Sequence, residues 1–156
     1  VLLMTKLKKL RIERGLTQNE LARMSGLTQT RICILENNEG AIDGSSTYTI
    51  SMLANALNVK LWDVIDNEKY VIILKEVSQY PREMRHGKGD SYLLSVRMRK
   101  GLSQLNLAKA LGISQGAVSR WENEDIDSMR MTLLCKACAI LHCHPCDIID
   151  SLKEVI

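Results

Sequence analysis

The 156-residue sequence contains no apolar run approaching the ~18 residues that a membrane-spanning helix needs, so no membrane partner is expected. It also lacks any recognisable nucleophile–base pairing, phosphate-cradling glycine loop or carboxylate dyad. No enzymatic activity and no cofactor are therefore expected. Five cysteines are present, but their spacing suggests no disulfide framework, and reduced thiols in a cytosol are the natural reading. The opening Val1-Leu2-Leu3-Met4 is too short for a signal peptide, Met4 is a candidate start, and a cytoplasmic protein is expected. Charge is nearly balanced, with a net +3 spread evenly along the chain. That neither demands nor excludes a nucleic-acid partner, and the argument has to come from where the charges lie.

What the sequence does contain is one text written twice. Lys100-Gly101-Leu102-Ser103-Gln104 repeats Arg14-Gly15-Leu16-Thr17-Gln18 at a shift of 86 residues. In the same register Leu107, Ala108, Gly112, Gln115 and Glu122-Asn123 fall on Leu21, Ala22, Gly26, Gln29 and Glu36-Asn37. Further on, Leu141, Asp147, Ile149 and Asp150 fall on Leu57, Asp63, Ile65 and Asp66 at a shift of 84, so the loop between is two residues longer in the first copy. Repetition at this length indicates a duplicated domain. The division expected is a first domain over 1–66, a linker over 67–90 with an apolar segment at 70–77, and a second domain over 91–156. Each domain is small and its core minimal.

Residues 111–123 show what each copy is for. Val118 and Trp121, three apart, form an inward face, while Gln115, Gly116, Ser119 and Arg120 form a polar outer one. Ser114 is a good N-cap for a helix starting at Gln115. Leu107, Ala108 and Leu111 make the inward stripe of a preceding helix opened by Ser103, and Gly112 suits the left-handed turn between the two. Two short helices around a tight glycine turn, the second presenting polar and basic residues, read as a helix-turn-helix. In the first copy Thr5, Thr17 and Thr28 are the corresponding caps, and Leu7, Leu10 and Ile12 are candidates for the inward face of the first helix. A fourth helix is expected to about Leu57 and a fifth from near Leu61. Residues 70–74 are ambiguous between helix and strand. Tyr80 to Gly89 reads as an exposed linker, Asp90 or Ser91 as the next cap, and Pro145 as the start of the last helix.

Gly-Ile-Ser-Gln-x-x-Val-Ser-Arg-Trp-Glu-Asn at 112–123, preceded by Lys-Gly-Leu-Ser-Gln at 100–104, resembles the phage-repressor (lambda repressor/Cro, or Xre) helix-turn-helix family. The resemblance covers nearly all of both repeats. It implies an all-α chain of two tandem five-helix lambda-repressor-like domains, acting as a sequence-specific transcriptional regulator or repressor on double-stranded DNA. It implies that Gln29, Thr30 and Arg31 in the first copy, and Gln115, Gly116, Ser119 and Arg120 in the second, face the major groove. Glutamine can bond bidentately to adenine and arginine to guanine. Gln18, Gln104, Asn37 and Asn123 match phosphate contacts of the family, and Arg11–Glu36 and Arg97–Glu122 match a structural ion pair.

Two departures keep other readings open. Cys33 and Ile34 stand where the second copy has Ser119 and Arg120, so Ile34 touches either a thymine methyl or a protein partner. In the second case one copy binds DNA and the other serves as an interaction or dimerisation module. The loop Glu124-Asp125-Ile126-Asp127 carries carboxylates where the family approaches phosphate, with Arg130 a partial offset. The cluster Cys135, Cys138, His142, Cys143, His144, Cys146 has zinc-like ligand types. Yet Cys138, Cys143 and Cys146 fall on Ala54, Val59 and Trp62, and both histidines fall on surface positions, so core packing is expected rather than a metal site. A thiol- or metal-responsive regulator is the competing reading. Arg82, Arg85, His86 and Lys88 read as a solvated basic linker, or else as an arm along DNA.

Overall fold

A computed structural model describes residues 4–83 and 91–156. The expectations placed on Val1, Leu2, Leu3, Arg85, His86, Gly87, Lys88, Gly89 and Asp90 lie outside the described residues. The chain is all-α, its described residues forming no sheet. The first copy comprises α1 (Lys6–Glu13), α2 (Gln18–Ser25), α3 (Gln29–Asn37), α4 (Thr47–Leu57) and α5 (Glu68–Val77). The second comprises α6 (Tyr92–Arg99), α7 (Gln104–Leu111), α8 (Gln115–Asn123) and α9 (Met131–Leu141).

Short polar side chains set where these helices begin. Thr5, Thr17, Thr28 and Ser46 accept backbone N–H bonds in the first copy, as Ser91, Ser103 and Ser114 do in the second. Thr17 and Glu20 make a full capping box. The helix-turn-helix corners need a left-handed residue, and glycine supplies it at Gly26 (φ 74°) and Gly112 (φ 70°). Asn58 and His142, equivalent at the shift of 84, close α4 and α9 in the same conformation. Asparagine adopts it readily. The histidine is held there by a 3.0 Å hydrogen bond between its Nδ1 and the Tyr80 hydroxyl.

The expected fifth helices are shorter than the repeat pattern suggests. Leu61–Asp63 and Pro145–Asp147 are single 3-10 turns, followed in the second copy by a 3-10 stretch at Asp150–Glu154. In the first copy the aspartates bond elsewhere. Asp63 accepts from Lys60 N, and Asp66 accepts from Lys6 N at 2.9 Å, capping α1 instead of continuing a helix. Asn67 then caps α5, which makes the ambiguous 70–74 stretch helical. Its stripe Val71, Leu74 and Val77 is buried, and α5 packs along α9 of the second copy. Ile12, a candidate for the inward face, is instead 50% exposed, as is its equivalent Met98 at 66%.

The two copies share one continuous core. Ser46 and Arg130 form an antiparallel bridge in which Thr47 N donates to Met129 O at 2.7 Å and Met131 N donates to Ser45 O at 3.0 Å. The bridge satisfies the first free N–H group of both α4 and α9, which explains how α9 starts without a capping side chain at Arg130. Met129, Met131 and Thr47 are buried at this junction. Leu61 N also donates to Val155 O at 2.6 Å.

Candidate nucleic-acid interface

Each helix-turn-helix is held in shape by one buried carboxylate. Glu36, at the end of α3, takes two bonds from the Arg11 guanidinium of α1, at 2.5 and 3.1 Å, and a third from Gln18 Nε2 of α2 at 2.9 Å. Arg11 also reaches Leu16 O at 2.7 Å. The second copy repeats every member: Glu122 accepts from Arg97 at 2.5 and 3.2 Å and from Gln104 at 2.6 Å, and Arg97 donates to Leu102 O at 2.8 Å. The carboxylates are 0% and 2% exposed. A buried charge is tolerable only when its oxygens are filled, and here three donors fill them. The hydrogen bond to Glu36 pushes the Arg11 pKa above its usual value, against the opposing effect of burial.

The network also determines how two predicted contact residues are presented. Gln18 and Gln104 are fixed at the first turn of α2 and α7, each keeping its carbonyl and one N–H unclaimed by the carboxylate. Gln115 Nε2 lies 3.5 Å from Gln104 Oε1, so the two amides sit together at the surface. Gln104 is the first residue of α7, and a helix N-terminus is suited to a phosphate oxygen.

The outer faces of α3 and α8 are open. Gln29, Thr30, Ile34 and Asn37 are exposed in the first copy, and Gln115, Gly116, Arg120 and Asn123 in the second. Ser119 is half-buried, and Asn123 donates to its carbonyl (2.9 Å) and hydroxyl (3.3 Å). Asn37 makes the same pair with Cys33, to its carbonyl at 2.9 Å and its sulfur at 3.4 Å. Cys33 thus stands in for Ser119 geometrically, whereas Ile34 for Arg120 replaces a charge with a 39% exposed hydrocarbon. Arg31 is the predicted residue that is set apart from this face. Its Nη2 donates to Ser45 Oγ at 3.2 Å, towards the junction between the copies.

Around this surface, Glu124 and Asp125 are exposed and Asp127 is half-buried. Burial, with help from Asp125, raises the Asp127 carboxyl above the usual range. Arg82 is not a free arm: it donates to Asp150 at 2.9 Å and to Cys146 O at 3.2 Å, and lies 3.7 Å from Asp147. Glu83 N adds a bond to Asp147. Repeat alignment gave no hint of this, because the segment has no counterpart in a second linker. Asp147 is 1% exposed, and among the described residues its Oδ1 accepts no hydrogen bond, with Arg82 Nε 3.7 Å away.

Cys135, Cys138, Cys143 and Cys146 are buried free thiols, and only Cys33 is exposed. Burial pushes Cys135 up to about 12 and Cys146 to about 11, and lifts Cys138 well above its usual value. Such thiols are poor nucleophiles. No group of three or more His, Cys, Asp or Glu among the described residues is arranged to hold a metal ion. His144, equated from sequence with the surface Lys60, is in fact buried: its Nδ1 accepts from Cys146 N at 3.0 Å, capping the 3-10 turn at Pro145. Burial lowers its pKa.

No helix among the described residues is long and apolar enough to cross a membrane. Residues 6–69 match the Cro/C1-type helix-turn-helix DNA-binding domain family, and residues 93–148 match a helix-turn-helix family. Among curated proteins and solved structures, none matches the chain significantly. The two family matches fall on the two copies of the carboxylate network and the helix pairs it braces. The chain belongs to the phage-repressor (Xre) type of helix-turn-helix DNA-binding proteins, with two such domains in tandem.

Proposed function

We propose that the chain is a sequence-specific transcriptional regulator that engages one DNA duplex with both copies, on adjacent half-sites. The observation that supports this most directly is the doubled network. Arg11–Glu36–Gln18 and Arg97–Glu122–Gln104 hold the same glutamine at the same corner, beside an exposed helix face, in both halves. The buried carboxylates account for Gln18 and Gln104 as donors, but folding alone requires no glutamine at the exposed positions Gln29 and Gln115 beside them. Gln29 and Gln115 then read bases, with Thr30, Ile34, Gly116, Ser119 and Arg120 beside them, while Gln18, Gln104, Asn37 and Asn123 contact phosphate. Arg31, held at Ser45, approaches the backbone between the half-sites.

The test uses the intact chain, because the halves share a core. Sites are first selected from random DNA, and Gln29→Ala, Gln115→Ala and the double variant are compared on the preferred site. Each single change should weaken binding and relax preference in a different half-site, and the double should lose both. A shallower salt dependence should accompany Gln18→Ala or Gln104→Ala if these touch phosphate. A second reading is favoured by one observation, the exposed Ile34: the first copy holds a protein partner. Under it, Gln29→Ala leaves DNA binding unchanged and the selected site contains a single half.

A further inference from the structure

The junction between the copies has a symmetry that the tandem arrangement does not require. Ser45, Ser46 and Thr47 are equivalent to Met129, Arg130 and Met131 at the shift of 84. Ser46 therefore pairs with its own equivalent, in an antiparallel bridge. Exchanging the two copies turns the bond Thr47 N to Met129 O into the bond Met131 N to Ser45 O, and both are present, at 2.7 and 3.0 Å. A translation or a screw cannot carry each copy onto the other in this way; a two-fold rotation can. The local axis passes between Ser46 and Arg130, and each loop caps the other copy's helix across it. The cross-over at the far side departs from the symmetry for a visible reason. Leu61 N donates to Val155 O, but the equivalent positions are Pro145, which has no N–H to return the bond, and Val71, which lies inside α5.

A duplex has two-fold axes of its own perpendicular to its length, so a two-fold pair of reading helices matches half-sites that are inverted. The bridge is flanked by buried side chains, Met129 and Met131 at 0% exposure and Thr47 at 1%, and α5 packs onto α9. The half-site spacing is then set by the fold and not by a flexible tether. The two faces carried round that axis are nevertheless different. Gln29 and Gln115 agree, whereas Cys33 and Ile34 oppose Ser119 and Arg120. A dimer of identical chains cannot show such a difference.

Resting on the reading that both copies bind one duplex, we propose that the chain reads, as a single molecule, a composite inverted operator. Its halves are alike under Gln29 and Gln115 and unlike under Ile34 and Arg120, with a thymine methyl against the former and a guanine against the latter. Such an operator has a direction, and the protein docks on it in one orientation only.

The decisive variant is Cys33→Ser with Ile34→Arg, which gives the first copy the second copy's residues at these two positions, with Thr30 still opposite Gly116. Both positions are exposed, so the fold should not be at risk. Random-DNA selection with the intact wild-type chain should return inverted, unequal half-sites at one spacing, bound one protein per duplex. The variant should move the selected sequence at one half only, towards a palindrome, and bind the original operator about 10-fold more weakly. Inserting ~5 base pairs between the halves turns one to the opposite face of the duplex and should cost at least ~100-fold. Directly repeated half-sites, or indifference to the insertion, would overturn the two-fold while leaving joint DNA binding intact. A selected site with one half only would overturn joint binding itself.

Discussion

The first and second copies hold their Arg–Glu–Gln networks at nearly the same distances, yet fill their cores and face outwards with different side chains. Cys138 and Cys143 stand on Ala54 and Val59, and Met131 on Thr47. On the outside, Arg120 stands on Ile34. The comparison separates three kinds of constraint. Where three helices meet at one buried carboxylate, the donors must arrive from fixed directions, and the same residues recur. In the core any apolar group of suitable volume serves. On the outer face the fold sets no requirement, so what stands there answers to the ligand.

The comparison is broken most severely at the carboxylates. Glu36→Ala and Glu122→Ala each leave a guanidinium and a glutamine facing an empty, desolvated site. Losing one partner of a buried ion pair typically costs ~3–5 kcal/mol. The shared core makes a further demand: both variants should lower the midpoint of a single cooperative transition in chemical denaturation, followed by circular dichroism. Two separate transitions, only one of them moved by each variant, would show that the copies fold independently.

The outer faces should give smaller and unequal effects. Gln115→Ala or Arg120→Ala should weaken binding to the preferred site by ~1–3 kcal/mol and relax preference at one or two base pairs. Ile34→Ala removes only hydrocarbon from a methyl contact and should cost about 1 kcal/mol. Titrations on matched and single-mismatch duplexes check both. Equal weakening on all sequences would reassign Gln115 and Arg120 to phosphate.

Much of this arrangement was legible from the chain itself. The caps at Thr17, Ser103 and Ser114, the glycine corners and the buried Val118 and Trp121 follow from local chemistry and helical period. The ion pairs followed from family resemblance. The junction was not legible, because a bridge between Ser46 and Arg130 leaves no mark in either residue: its bonds are backbone bonds. For the same reason α5 read as part of a linker, since a stripe at Val71, Leu74 and Val77 says that something is covered but not by what. Arg31 sat within the polar stretch of α3, and only the position of Ser45 shows where its guanidinium goes. His144 reads as a surface residue from its counterpart Lys60, but only in the second copy does an arginine, Arg82, bond to Cys146 O and Asp150 beside it.

The smallest expected effect concerns the cysteines, which test whether core identity matters at all between the copies. Cys138→Ala and Cys143→Val install what the first copy already carries, and near-volume swaps of this kind usually cost under ~1.5 kcal/mol. DNA binding should be unchanged. Native protein should expose one rapidly reacting thiol, Cys33, and four more on unfolding. Bound DNA should shield Cys33 if the first copy reads the groove. The pH dependence follows from the raised thiols. Below about pH 9 they are protonated in both states, so their contribution is fully present. Above it the unfolded chain sheds protons that Cys146 holds to about 11 and Cys135 to about 12, so stability should fall as pH rises through this window. A bound metal would reverse each of these outcomes. The thiols would be thiolates at neutral pH, chelator would unfold the second copy, and Cys143→Val would no longer be mild. Zinc analysis of the purified protein, with melting in the presence and absence of chelator, separates packing from coordination.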